Sequence, residues 1–100
     1  MKDDSPSEAL LIRYLLGDLP EEQQVEIEER AFGDQGYLHT MQAVESDLID
    51  QYVRGGLPER ERLQFEARFF VSAERRRKVG FAKALAIVAA EDEQTKTRIL

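Results

Sequence analysis

One hundred residues, 42% of them hydrophobic and 34% charged, suffice for one domain with a modest core. The chain has no cysteine, which excludes a disulfide framework and a thiolate metal centre. Its net charge of −6 disfavours bulk contact with nucleic acid, and its longest apolar run, residues 84–90, is far short of the ~20 a membrane span needs.

β-branched residues never alternate with polar ones over a strand's length, so the chain reads as all helix. Ser5 and Pro6 are a capping residue and a first-turn proline, and Leu10, Leu11, Tyr14 and Leu15 follow at helical spacing. Gly17 ends this helix, because glycine accepts the left-handed conformation of a helix C-terminus. Leu19 lies in the turn. Pro20 then opens a second helix, with Glu21 and Glu22 in its first turn and Val25, Ile27, Ala31 and Phe32 as its apolar marks. The run Gly33-Asp34-Gln35-Gly36 breaks the pattern. A longer helix from about Tyr37 to Arg54 carries the stripe Tyr37, Met41, Val44, Leu48 and Tyr52.

Gly55 and Gly56 stop that helix, and Leu57-Pro58-Glu59 starts the fourth. Its apolar residues are Leu63, Ala67 and Phe70, with Phe65 and Phe69 on neighbouring faces. Ser72 caps a last helix from about Ala73 to Asp92, whose expected core is Val79, Phe81, Ala82, Leu85, Ile87, Val88 and Ala89. Residues 92–100 read as a polar tail or linker.

One phrase occurs twice. Tyr14-Leu-Leu-Gly17-Asp-Leu19-Pro20-Glu21 returns 38 residues later as Tyr52-Val-Arg-Gly55-Gly-Leu57-Pro58-Glu59. Nine of the 23 positions from Leu10 to Phe32 are identical to their counterparts, Glu28/Glu66, Arg30/Arg68 and Phe32/Phe70 among them. A repeat of this period marks a duplicated supersecondary unit. The expected fold is therefore an all-α compact bundle of about five helices. It consists of two tandem helix-turn-helix hairpins, 7–44 and 45–82, and a C-terminal helix, within one domain spanning 1–91.

The pattern Tyr-x-x-Gly-x-Leu-x-Glu followed by a helix and a break resembles the zinc-binding anti-sigma domain of bacteria. The resemblance covers 7–44 and again 45–82. It implies a protein that binds and holds inactive an extracytoplasmic-function sigma factor, often from the cytoplasmic end of a single-span membrane protein. In that family a histidine and a Cys-x-x-Cys supply zinc ligands. Here those positions fall on Arg30, Asp34 and Tyr37, and in the second copy on Arg68, Ser72 and Arg75. Neither set can build a tetrahedral site of imidazole and thiolate. No metal or other cofactor is expected, and aromatic packing by Phe32, Tyr37, Phe69 and Phe70 is expected to replace the metal.

No catalytic constellation is read from the chain. His39 is the single histidine, and the carboxylate pairs Asp47/Asp50 and Glu28/Glu29 read as solvated helix faces. Gly55-Gly56 lacks the following Lys-Ser/Thr of a phosphate loop.

Charge is uneven: residues 1–50 hold 13 acids and 3 bases, and residues 51–100 hold 7 acids and 11 bases. The acidic first unit, with Glu21, Glu22, Glu26 and Glu29 on its second helix, suits a basic protein partner. The basic cluster Arg75-Arg76-Arg77-Lys78 is read as pairing with glutamates of the first unit or with a partner rather than with nucleic acid. Residues 81–90 are apolar almost all round, which marks a helix buried in its own core or against another protein. Phe81, Leu85, Ile87 and Val88 are its candidate contact residues.

The expected function is thus a transcription regulator that sequesters a sigma factor without zinc. The rival is a helical interaction or self-association module, with a possible homodimer. The start, Met1-Lys-Asp-Asp-Ser5, has no apolar region of a signal peptide, so a cytoplasmic location is expected. Membrane attachment is expected only through a parent chain continuing past Leu100.

Overall fold

A computed structural model describes the backbone of residues 7–99 and the side chains of residues 7–90. These residues form five helices: α1 (Glu8–Leu15), α2 (Glu21–Gly33), α3 (Gln35–Val53), α4 (Glu59–Phe69) and α5 (Ala73–Ile99). The fold is an all-α bundle, as the helical spacing implies. The expected start at Ser5 and Pro6 lies outside the described residues. Among those described, Ser7 takes the N-cap of α1, its Oγ accepting from the Leu10 amide at 3.5 Å.

The repeated phrase builds two turns with matching hydrogen bonds. The Gly17 amide donates to the Tyr14 carbonyl at 3.1 Å and the Asp18 amide to the Arg13 carbonyl at 2.8 Å. Gly55 donates to Tyr52 at 3.0 Å and Gly56 to Gln51 at 2.8 Å. This pair of bonds is the Schellman closure, which places the residue after the C-cap in the left-handed region. Gly17 and Gly55 both have φ of 74°, where a Cβ would be strained. Leu19 and Leu57 then drop into the core. Pro20 and Pro58 stand at the N-caps of α2 and α4, one position before the first helical residue expected for them.

α3 is the hub, lying against α1, α2 and α5. It begins at Gln35, earlier than the Tyr37 expected, because α2 runs through Gly33 and only Asp34 interrupts the chain. Asp34 caps α3, its Oδ1 accepting from the amides of Gly36 at 2.9 Å and Tyr37 at 3.2 Å. Ser72, its counterpart 38 residues on, caps α5 through a bond from the Arg75 amide at 3.3 Å. α5 runs parallel to α3: Arg75 and Lys78 meet Glu45, Lys83 lies over the Tyr52 ring, and Ala86, Ala89 and Ala90 line a groove with Val53 and Arg54.

The core repeats with the sequence. Leu11 and Ile49, Leu19 and Leu57, Ile27 and Phe65, and Ala31 and Phe69 are equivalent pairs, and all eight side chains are buried. The second copy substitutes rings for small aliphatic groups. Tyr52 stacks on Phe65 at 4.3 Å between centroids and Phe65 on Phe69 at 4.0 Å, while Phe70 meets Tyr52 and Phe65 edge-on. Stacked and edge-to-face pairs of this kind add ~0.5–1.5 kcal/mol each beyond the area they bury.

Three expectations about the core are corrected. Phe32 is 96% exposed, not a replacement for metal in the core. Its counterpart Phe70 follows the end of α4 and swings onto two rings, whereas Phe32 stays within α2, where the position matching Phe65 is Ile27 and offers no ring. In α4 the buried stripe is Phe65 and Phe69; Leu63 and Ala67, two residues away in register, fall on the far side and are exposed. Of the expected α5 core, Val79 is buried and Ala82 partly so, while Phe81, Leu85, Ile87, Val88 and Ala89 are exposed. At 3.6 residues per turn Phe81, Ile87 and Val88 fall on faces turned away from Val79 and Ala82, and because α3 ends at Val53 even the side facing it is left open past Ala82. α5 continues as helix to Ile99, beyond the Asp92 expected, through a segment with no glycine or proline to stop it.

Candidate partner-binding surface

The positions that match zinc ligands in the resembled family are brought together at the two helix junctions. In the first copy, Arg30 in the last turn of α2, the cap Asp34 and the buried Tyr37 line a shallow depression with Glu29 and Gly33. In the second copy, Ser72 caps α5 and the Arg75 guanidinium packs over the Phe69 ring at 4.6 Å. Arg68 reaches across the molecule to the other turn: a Cβ on Gly17 would stand 2.7 Å from its Nε. These positions thus serve the fold in different ways, by capping a helix, stacking on a ring or covering a turn. Arg30 and Arg68 also stand at helix C-termini, where positive charge is favoured. Zinc does not fit either set, and no three histidine, cysteine, aspartate or glutamate side chains converge among the described residues.

The basic cluster is mostly tied down. Lys78 Nζ lies 2.7 Å from Glu45 Oε1 and Arg75 Nε lies 3.5 Å from Glu45 Oε2. Arg76 donates to the Phe70 carbonyl at 2.7 Å, which closes the end of α4. Glu45 begins the second unit, so the pairing is within that unit and not with the glutamates of the first. Arg77 is exposed and has no ion-pair partner among the described residues.

Two tyrosines repeat with their glutamates. The Tyr52 hydroxyl donates to Glu66 Oε2 at 2.8 Å, and Arg62 pairs with the same carboxylate at 3.3 Å. Tyr14 and Glu28 are the equivalent pair. Burial first, and then the Glu28 carboxylate, push the Tyr14 hydroxyl above its ordinary value of 10.0, against the pull of Arg75 and Arg68. Tyr52 is raised by burial and by its bond to Glu66. Tyr37 is raised mainly by burial, with Arg30 opposing. These hydroxyls stay protonated at neutral pH, and that of Tyr52 serves as a hydrogen-bond donor.

The two surfaces singled out in the sequence are both open. On α2, Glu21, Glu22, Glu26 and Glu29 are exposed, and none has an ion-pair partner among the described residues. Between them the face carries Val25 and Phe32, two exposed apolar groups that charge alone does not mark as contacts. On α5, Phe81 is 67% exposed, Leu85 54% and Val88 56%, at the i, i+4, i+7 spacing of one stripe. Ile87 is 60% exposed but sits about 120° round the helix from Phe81 at 3.6 residues per turn, so it does not join that stripe. Beside Leu85 a groove of about 580 Å³ opens between the end of α3 and α5, lined by Asp50, Val53, Arg54, Ala82, Ala86 and Ala89.

No helix among the described residues is long and apolar enough to cross a membrane. Compared with protein-family models, with curated proteins and with solved structures, the chain shows no significant match.

Proposed function

We propose that this chain is a non-catalytic binding domain of anti-sigma type that acts stoichiometrically and without zinc. It holds an extracytoplasmic-function sigma factor by burying the α5 stripe, while the acidic α2 face covers basic polymerase- or DNA-binding surface. The observation that carries the reading is the uncovered stripe Phe81, Leu85 and Val88 on a helix that the domain's own core abandons after Ala82. A contiguous exposed apolar surface of this kind marks a site of association. The resemblance in the two Gly-Leu-Pro turns supports the choice of partner. The unpaired glutamates of α2 supply a field that speeds encounter with a basic protein.

Calorimetric titration against each such sigma factor of the source genome tests the reading. A 1:1 complex that weakens as salt rises is expected. Phe81→Ser or Leu85→Ser raises Kd at least tenfold, as truncation of a central anchor does. Reversal of Glu22, Glu26 and Glu29 to lysine lowers chiefly the association rate. An absence of measurable affinity for every sigma factor, or an affinity untouched by Phe81→Ser, overturns it.

A further inference from the structure

The same α5 stripe has a second occupant written into the sequence on either side of it. Arg75, Arg76, Arg77 and Lys78 precede the segment 79–90, apolar but for Gly80 and Lys83, and Glu91, Asp92 and Glu93 follow it. A helix that is basic at one end, apolar in the middle and acidic at the other is complementary to its own reverse. We propose that two copies of this chain pair through α5 in antiparallel, two-fold arrangement. The proposal rests on the reading of α5 as an association face, and it adds an occupant that competes with the heterologous partner.

The register follows from the stripe. Phe81, Leu85 and Val88 are all more than half exposed, with the exposed Ala84 alongside Leu85. Centring the two-fold axis between Ala84 and Leu85 sets Phe81 of one copy against Val88 of the other and Ala84 against Leu85. Small residues opposite large ones let the helix axes approach to the 8–10 Å of close packing. The same register sets position 77 of one copy against position 92 of the other, so the exposed Arg77 meets an acidic position at each end of the contact. Arg77 is free to take this role, having no ion pair among the described residues. A parallel pair would instead set four basic residues against four basic residues, a repulsion that fixes the orientation. An isologous contact closes on itself and yields a dimer rather than a filament.

Sedimentation equilibrium of the full chain, alone in solution, reads the first expectation: a concentration-dependent dimer that Val88→Glu converts to monomer without loss of helical circular dichroism. Because Val88 is exposed in the single chain, that variant keeps its fold. Orientation is read by mixing Phe81→Cys and Val88→Cys variants under oxidising conditions. The antiparallel register gives the 81–88 heterodisulfide in excess, whereas a parallel pair gives 81–81 and 88–88 homodisulfides. The reversal R77E weakens the dimer at least threefold at low salt, and adding D92K restores it. A chain that remains monomeric up to several hundred micromolar, a predominance of homodisulfides, or no rescue by the second reversal overturns the proposal. None of these readouts uses a sigma factor, so dimerisation stands or falls separately from the binding function. Where both hold, added partner dissociates the dimer into 1:1 complexes.

Discussion

Gly17 and Gly55 occupy the same place in the repeated phrase and share φ of 74°, yet their surroundings differ. Nothing stands within 4 Å of a Cβ built on Gly55, while on Gly17 it would press on Arg68 Nε and Cδ. Gly55→Ala therefore costs only the left-handed backbone strain, about 1–2 kcal/mol. Gly17→Ala costs that and also displaces the Arg68 side chain, so chemical denaturation should rank it the more destabilising of the two. The tyrosine pairs give a pH dependence. Tyr52 and Tyr14 are raised above 10.0 in the folded chain, so the native state binds their protons more tightly than the unfolded state does. Their contribution is fully present below pH 10.0 and is lost as pH climbs through the raised values. Unfolding free energy should fall on the alkaline side, and Tyr52→Phe should flatten that fall relative to the parent.

At the scale of elements, the two hairpins differ in how they hold their second helix. α2 lies close on α3 through small aliphatic groups such as Ile27 and Ala31, whereas α4 is held by the stack Tyr52, Phe65 and Phe69. Phe65 has no exposed surface, so Phe65→Ala should cost about 3–5 kcal/mol. Phe32→Ala, at a residue almost wholly in solvent, should lie within about 0.5 kcal/mol of the parent in the same urea titration. The contrast explains what could be read in advance. The turns were legible because glycine and proline impose backbone geometry whatever surrounds them. The helix spans were legible from spacing, apart from the first residues of α3, where Asp34 capped the helix inside a segment that looked like a break, and the end of α5, which ran on to Ile99 through a polar segment with no breaker. Burial in the short helices was not legible, because Phe32 and Phe70 differ in where their helices end and Leu63 and Phe65 in which neighbour their face meets. The exposure of α5 depended on which of its faces met α3 and on where α3 ended, and its apolar character alone fitted core and contact equally.

For the whole molecule, the two copies of the hairpin hold their helix junctions in different ways. The cap Asp34 holds the first junction, while Ser72, the Arg75–Phe69 stack and the aromatic cluster hold the second. Dialysis against a strong chelator should leave the melting temperature unchanged, and a drop of several degrees would show that an ion is held after all. Glu45, its side chain only 12% exposed and facing both Arg75 and Lys78, ties α3 to α5. Glu45→Gln should lower unfolding free energy by about 1–3 kcal/mol, read by chemical denaturation.

α5 is 27 residues long, about 40 Å at 1.5 Å per residue, and it outruns the α3 that supports it. One continuous helix therefore has two local stabilities. Around Val79 its amides can exchange with solvent only when the core opens. Past Ala86 a local unwinding that leaves the rest of the bundle intact is enough. Amide exchange along this single element should consequently fall from strong protection to weak within two or three turns. Any occupant of the free stretch should steepen its protection there first, which makes exchange at residues 86–90 a direct gauge of what the helix holds.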